Sequence, residues 1–216
     1  MAKQYVSNKD ESIPLFENKY LDKFTYVHPS VPVILYLPVI AFFLNQAIVH
    51  TTLSLSTITI LFFTGMLLWT LSEYIIHRFI FHYEPKSDFG RYIHHLSHGV
   101  HHDYPNDSRR LVMPPVVSIP LAILFYGLFT VLFGEPGKSP LFSGFVFGYV
   151  CYDMIHYATH HFPMRSRLGL WIKHHHIKHH YQTEELGFGV SSPLWDYAFR
   201  TRFPEKEKTS SAGSLN

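Results

Sequence analysis

The chain has little charge and almost no cysteine, and both shortages limit what it can be. Asp, Glu, Lys and Arg together make up 16% of its 216 residues, against roughly 25% in ordinary soluble domains. Cys151 is the single cysteine, which excludes intramolecular disulfides and thiolate zinc sites of the Cys₄ type. The net charge of +2 gives no indication of a nucleic-acid partner, and none is expected.

Charge is absent altogether from three long runs, at 24–72, 111–134 and 139–152. A transmembrane helix needs about 20 apolar residues to cross roughly 30 Å of hydrocarbon, so the first run is long enough for two. Polar residues at 45–46 and 50–52 divide that run, and the segment 134–140 is a turn rich in Gly and Pro. Buried helices of a soluble protein would need charged outer faces, which are missing. The predicted transmembrane helices lie at about 32–49, 54–76, 113–133 and 139–161.

Four spans in two hairpins place the N-terminus, the segment 77–110 and the C-terminal segment on one side of the membrane. Of the 18 Lys and Arg residues, 17 lie in these regions, and Lys138 alone falls in a hairpin turn. The positive-inside rule makes this side cytosolic. The expected fold is an all-α integral membrane protein with a cytosolic helical cap. It comprises a cytosolic N-terminal segment 1–23 without a signal peptide, a membrane domain 24–204 and a polar tail 205–216.

Histidine, unlike cysteine, is abundant: the chain has 17 histidines, and most of them lie in four clusters. The clusters are HRFIFH at 77–82, HGVHH at 98–102, HYATHH at 156–161 and HIKHH at 176–180. Neutral imidazole is the commonest protein ligand for transition metals. Ten clustered ligands are too many for one metal ion, so the pattern predicts two metal ions in an all-nitrogen cage. A solvated histidine tract is the alternative for one such cluster, but not for four that each adjoin an apolar segment.

Spacing gives the clusters a geometry. In each HxxHH run the first and last histidines are four residues apart and share a helix face, and the middle histidine, His101 or His179, is expected on the same stripe. His77 and His82 are five apart, about 140° around an α-helix. Both can reach one site only if the helix frays there, or each serves a different metal. Imidazole suits zinc and iron alike, so spacing does not separate them.

Further segments resemble one family. Arg110-Leu-Val-Met-Pro-Pro115, Gly148-Tyr-Val-Cys-Tyr-Asp153 and Gly187-Phe-Gly-Val-Ser-Ser192, followed by Trp195-Asp196, together with the four boxes, resemble the fatty acid 2-hydroxylases of the membrane fatty acid hydroxylase superfamily. The similarity runs from about Trp69 to Phe203. It implies an oxygen-dependent di-metal monooxygenase of the endoplasmic reticulum (the inner membrane if bacterial). Such enzymes add an (R)-hydroxyl at C2 of long and very long acyl chains, as free acids or within ceramide.

The resemblance also implies which residues bind the metals. The expected ligands are His77, His82, His98, His101, His102, His156, His160, His176, His179 and His180. The histidines outside the boxes, whose spacing does not exclude them, are His94, His95, His161, His174 and His175. Asp153 and Asp103 could each accept the second ring N–H of a ligand, or could instead cap helices or pair with Arg109 and Arg110. Glu73 is an acid near the end of a span, a placement that is often functional.

Iron is the metal expected for activity, with zinc possible in purified protein because zinc binds such sites more tightly than Fe(II). Fungal and animal relatives usually carry an N-terminal cytochrome b5 domain with a His-Pro-Gly-Gly motif, where this sequence has only His28-Pro29-Ser30. The plant-type form is therefore expected, with separate cytochrome b5 and its reductase as electron donor, O2 as co-substrate and a membrane lipid as substrate.

Two other interpretations stay open at this point. Sterol and carotenoid oxidases or hydroxylases of the same superfamily share the histidine boxes. A membrane zinc-binding or transport protein belongs to a different class, but transporters usually place their ligands near the membrane midplane, whereas the HxxHH boxes lie in the polar flanks.

Overall fold

The structure is a computed structural model that describes residues 5–204; the predicted polar tail 205–216 lies outside the described residues. Within 5–204 every regular element is helical, as the sequence predicts. The helices are α1 Lys19–Lys23, α2 Ser30–His50, α3 Leu55–Ile76, α4 Asp88–His94, α5 Val100–Asp103, α6 Pro115–Phe133, α7 Lys138–His161, α8 Arg167–Tyr181 and α9 Leu194–Ala198. Two π-helical segments, His77–Phe81 and His95–Gly99, follow α3 and α4 directly.

Three of the four predicted spans are long and apolar enough to cross a membrane: α2, α3 with its π-helical extension to Phe81, and α6. The fourth, α7, has the length but a more polar composition. Most of α7 is buried, because it packs against α2, α3 and α6. A helix surrounded by other helices needs less apolar surface than one that faces lipid. The position of α7 therefore explains its Ser, Gly and Tyr content.

Two glycines let α3 and α7 pack backbone to backbone. A Cβ atom at Gly65 would lie 2.0 Å from the Leu141 carbonyl oxygen, and one at Gly144 would lie 1.9 Å from the Phe62 carbonyl oxygen. Small residues allow such close approach between membrane helices. Further along, Gly148 contacts Trp69, so the contacts advance in the same direction on both helices. The two helices therefore run parallel, and their C-terminal ends lie together.

An aromatic core fills the space between the long helices. The Tyr149 ring on α7 makes edge contacts with Tyr36 on α2 and Trp69 on α3, with ring centroids 5.2 Å apart in both pairs. Tyr36 also donates a hydrogen bond to the Ser118 hydroxyl on α6 at 2.9 Å. One buried layer of side chains thus joins α2, α3, α6 and α7.

The N-terminal segment packs against the cap formed by the helices beyond the long bundle. The Val27 backbone N–H donates to the Arg109 carbonyl at 2.7 Å. The buried Arg110 guanidinium lies between the carboxylates of Asp22, at 3.2 Å, and Asp107, at 3.4 Å. A hydrogen bond from Tyr26 and the nearby guanidinium lower the pKa of Asp22. These paired charges hold the segment before α2 over the end of the bundle.

Candidate metal centre

All ten predicted ligands lie in two groups of five at the C-terminal ends of α3 and α7. In each group the ring nitrogens that could bind a metal lie within 4.8 Å of one another. Cluster one contains His77, His82, His98, His102 and His179. Cluster two contains His101, His156, His160, His176 and His180. Each cluster has enough ligands for one metal ion, as expected for a two-metal centre.

The π-helical turn after α3 brings His77 and His82 into the same cluster. The His82 N–H donates to the His77 carbonyl at 3.1 Å, which is the i→i+5 bond of a π-helix. Their Nε2 atoms lie 3.2 Å apart. The five-residue spacing therefore serves a single site without fraying, because the helix widens at this turn.

The middle histidine of each HxxHH run joins the other cluster, which corrects the expectation of a shared stripe. His98 and His102 belong to cluster one and His101 to cluster two; on α8, His176 and His180 belong to cluster two and His179 to cluster one. At about 100° per residue, i+3 and i+4 fall on opposite sides of residue i, about 100° apart. Neighbouring histidines can therefore point into different sites.

The distances within both clusters suit metal coordination. The Nε2 atoms of His77 and His98 lie 3.0 Å apart, and those of His101 and His156 lie 2.9 Å apart. Two nitrogens that bind one metal at right angles, each about 2.1 Å from it, would be separated by about 3.0 Å. Burial lowers the pKa of His98 and His180 well below the usual range, because it disfavours the charged ring. Burial therefore favours the neutral form of these two rings, which has a lone pair free to bind a metal.

Cluster one has hydrogen-bond acceptors behind its rings. Nδ1 of His77 lies 2.5 Å from the Phe188 carbonyl oxygen, and Nδ1 of His179 lies 2.8 Å from the Leu186 carbonyl oxygen. These contacts require the Nδ1–H tautomer, which leaves Nε2 for the metal. Acceptors of this kind also fix the orientation of the ring.

A carboxylate that the sequence analysis did not single out completes this arrangement. Glu184 approaches Nδ1 of His102 at 3.3 Å and Nδ1 of His82 at 3.9 Å. The His102 ring beside it lowers the pKa of Glu184, but Nδ1 of His102 has no partner with hydrogen-bond geometry among the described residues. The available signal was an acid four residues beyond the last histidine box.

Cluster two differs from cluster one in what faces the Nδ1 atoms of its rings. Within the described part of the chain, Nδ1 has no hydrogen-bond partner in His156, His160, His176 and His180. Asp153 is fully buried on α7, but no hydrogen bond among the described residues joins it to His156. The Asp103 carboxylate lies 3.7 Å from Nδ1 of His95, which belongs to neither cluster. The two sites thus have unequal surroundings.

The histidines outside the boxes have other contacts. His94 lies 2.5 Å from the Phe81 carbonyl oxygen and donates to the π-helical segment. His175 lies 3.0 Å from the Asp196 carboxylate. His161 stacks on Tyr157, and His174 is exposed. None of the five spare histidines belongs to either cluster.

Two apolar cavities border the centre. The outer cavity, about 410 Å³, lies beneath the N-terminal segment and extends to His98, His101 and His156. The inner cavity is narrow and apolar, lies among α2, α3, α6 and α7, and extends to His77. Both are lined by Phe81, Met113 and Tyr152. The two cavities therefore lie next to each other beside the histidine clusters.

Comparison with known proteins gives consistent matches. The family model for fatty acid hydroxylases matches residues 62–201. Fatty acid 2-hydroxylase of Rattus norvegicus is 44% identical over 149 residues, 68% of this chain and 40% of that protein. Dihydroceramide fatty acyl 2-hydroxylase FAH1 of Arabidopsis thaliana is 38% identical over 184 residues, 83% of this chain and 76% of that protein.

A solved structure is also similar. The structure of full-length scs7p, with only the hydroxylase domain visible, superposes with a TM-score of 0.81 at 36% identity, covering 88% of this chain and 71% of that one. The chain spans about two fifths of the length of the mammalian relatives.

Proposed function

The chain belongs to the fatty acid hydroxylase family, and on that premise we propose that it hydroxylates C2 of long acyl chains, in ceramide-type lipids or as free acids. The observation that carries this proposal is the pair of five-histidine clusters beside two apolar cavities. Relatives named as fatty acid 2-hydroxylases and dihydroceramide fatty acyl 2-hydroxylases support the position of hydroxylation and the substrate class.

Each cluster would hold one metal ion through Nε2 atoms, and the ten predicted histidines would supply all the protein ligands. When bound, iron would supply the activation of dioxygen that oxidation of an unactivated C–H bond requires, a chemistry that side chains lack. Zinc can occupy all-nitrogen sites of this kind in purified protein. Neutral, buried imidazoles would add no negative charge to the metals that they bind.

The cavities would determine which carbon is oxidised. A polar headgroup is costly to bury in hydrocarbon, so it would remain near the N-terminal segment, where Arg110 and Thr25 line the outer cavity. The acyl tail would enter the inner cavity past Phe81 and Met113. Carbons next to the headgroup would then lie beside the clusters, and water would be excluded by the aromatic walls of the bundle.

The proposed membrane arrangement has four spans in two hairpins, with α7 crossing at the centre of the bundle. The parallel packing of α3 and α7 supports it, as does the placement of both clusters at one end of these helices. The distribution of Lys and Arg favours the cytosolic side for the centre and both termini, in the endoplasmic reticulum or a bacterial inner membrane. Location at one end of the bundle counts against a transporter, whose ligands would lie near the midplane.

The electron donor would be a separate cytochrome b5, reduced by its own reductase. Delivery of electrons by a separate protein suits the position of the clusters, since they lie at the end of the bundle and not in its middle. The donor would dock on the cytosolic cap.

The test is mass spectrometry of hydrolysed lipids from cells that lack their own 2-hydroxylase. Expression of this chain should produce a pool of 2-hydroxy acyl chains, and the His176→Ala variant should not. Separate analysis of ceramides and free acids identifies which of the two lipid classes gains the 2-hydroxyl group first. Oxidised sterols or carotenoids with unchanged acyl chains would contradict the proposed substrate, and no oxidised lipid would contradict the proposed activity.

A further inference from the structure

The loop 186–191, between α8 and α9, connects cluster one to the rest of the fold. Its Leu186 and Phe188 carbonyls accept from the rings of His179 and His77. Gly187 adopts φ +78°, a conformation that favours glycine, and a Cβ there would lie 2.4 Å from the Phe203 ring. The path of the loop is therefore set by close contacts on both sides.

Four consecutive backbone amides of this loop donate to two buried carboxylates. The Val190 and Ser191 N–H groups donate to Oε1 of Glu73 at 2.7 and 2.8 Å. The Phe188 and Gly189 N–H groups donate to Oδ1 and Oδ2 of Asp196 at 2.9 and 2.8 Å. Glu73 comes from α3 and Asp196 from α9, so the loop is held from two separate elements.

Both acids are almost inaccessible to solvent. Asp196 is 0% exposed and Glu73 is 4% exposed. Burial of a carboxylate is costly unless hydrogen bonds compensate it, and Asp196 also accepts from Thr201 at 2.8 Å and contacts His175 at 3.0 Å. The bonds of Glu73 are those to the loop, including the Ser191 hydroxyl. Neither acid belongs to a histidine cluster.

We propose that Glu73 and Asp196 are positioning residues for the metal in cluster one. They hold the loop 186–191 so that its carbonyls fix the rings of His77 and His179 with Nε2 toward the metal. In cluster two, rings such as that of His160 have no acceptor at Nδ1 among the described residues. The loop is therefore expected to affect metal binding in cluster one only. This inference rests on the proposed two-metal centre.

The experiment measures metal per chain by mass spectrometry of the purified protein after dialysis against a chelator. Loss of an acceptor behind a metal ligand lowers metal affinity by roughly 10- to 100-fold, so Glu73→Ala and Asp196→Ala should each fall from two metals toward one. In a His179→Ala background, either change should release little more metal. In a His160→Ala background, which weakens cluster two, the same change should release the remaining metal.

Two further variants separate positioning from general damage. Glu73→Gln should retain both metals, because its amide oxygen can still accept from both loop amides and its NH₂ group can donate to the Ser191 hydroxyl. Asp107→Asn is the matched control, since Asp107 is a buried carboxylate that is bound to Ser12 and Arg110 and has no hydrogen bond to the loop 186–191. It should keep both metals even if it lowers the melting temperature.

Four results would contradict the inference or the two-metal centre on which it rests. Retention of both metals by Glu73→Ala and Asp196→Ala would show that the loop does not need these acids. Equal metal loss in Asp107→Asn, or further loss in the His179→Ala background, would show that the effect is not specific to cluster one. A wild-type protein that binds fewer than two metals would overturn the proposed centre itself. The metal content of the wild type is therefore measured before that of any variant.

Discussion

The close packing of α3 and α7 predicts that Gly144→Ala destabilises the protein. The added Cβ would lie 1.9 Å from the Phe62 carbonyl oxygen, 2.7 Å from its carbon and 2.9 Å from its Cα. Backbone atoms cannot move aside as a side chain would. To reach ordinary contact at 3.4 Å, the two helices must separate locally by about 1.5 Å.

The expected cost follows from overpacking in other protein interiors. Extra methyl groups in a packed core cost about 1–3 kcal/mol, which for a chain of this size lowers the melting temperature by roughly 2–12 °C. The helix preference of alanine offsets only about 0.5–1 kcal/mol of this. Since α3 leads to His77 and α7 carries His156, separation of these helices should also weaken both clusters.

Thermal unfolding in detergent measures this cost against a matched control. Gly127 also lies within a long helix, but a Cβ there meets nothing within 4 Å, so Gly127→Ala should be neutral or slightly stabilising. The reasoning fails if both variants shift the melting temperature in the same direction by a similar amount. It also fails if Gly144→Ala melts as the wild type does.

Three other predictions concern the site. His176→Ala and His102→Ala should each abolish product formation and release at least one metal, whereas the exposed His174 should tolerate alanine; equal metal loss in all three would contradict the ligand assignment. Ala122→Phe, in the wall of the inner cavity, should shift the 2-hydroxy products toward shorter acyl chains, and an unchanged chain-length profile would place the tail elsewhere. Reconstituted protein should need a cytochrome b5-type donor for turnover, so normal turnover without one would exclude the proposed electron source.

The set of ten histidines that the structure brings together could be named from the sequence, through the histidine boxes and the resemblance that they carry. Its division into two sites was harder: the pattern shows that His101 lies near His98 and His102, but the partner rings on α7 and α8 determine which cluster it joins. The π-helical turn at His77 also escaped prediction, since it changes the backbone hydrogen bond from i→i+4 to i→i+5 and no residue type marks that change.

The carbonyl acceptors behind cluster one could not be predicted. Every residue has a carbonyl group, so nothing in the sequence marks those of Leu186 and Phe188. The sequence shows Glu73 as an acid near the end of a span, but its partners lie more than a hundred residues away in sequence. The more polar composition of α7 likewise follows from tertiary packing, which a hydrophobic run does not reveal.

The division of neighbouring histidines between clusters has a consequence for the spacing of the two sites. His101 and His102 are joined by one peptide unit, as are His179 and His180, and consecutive Cα atoms are held about 3.8 Å apart by covalent geometry. Each HxxHH run therefore limits the separation of the two clusters to what the side chains of neighbouring residues can span. Motion of the bundle in a fluid bilayer can tilt such a pair of residues, but it leaves their Cα–Cα distance unchanged.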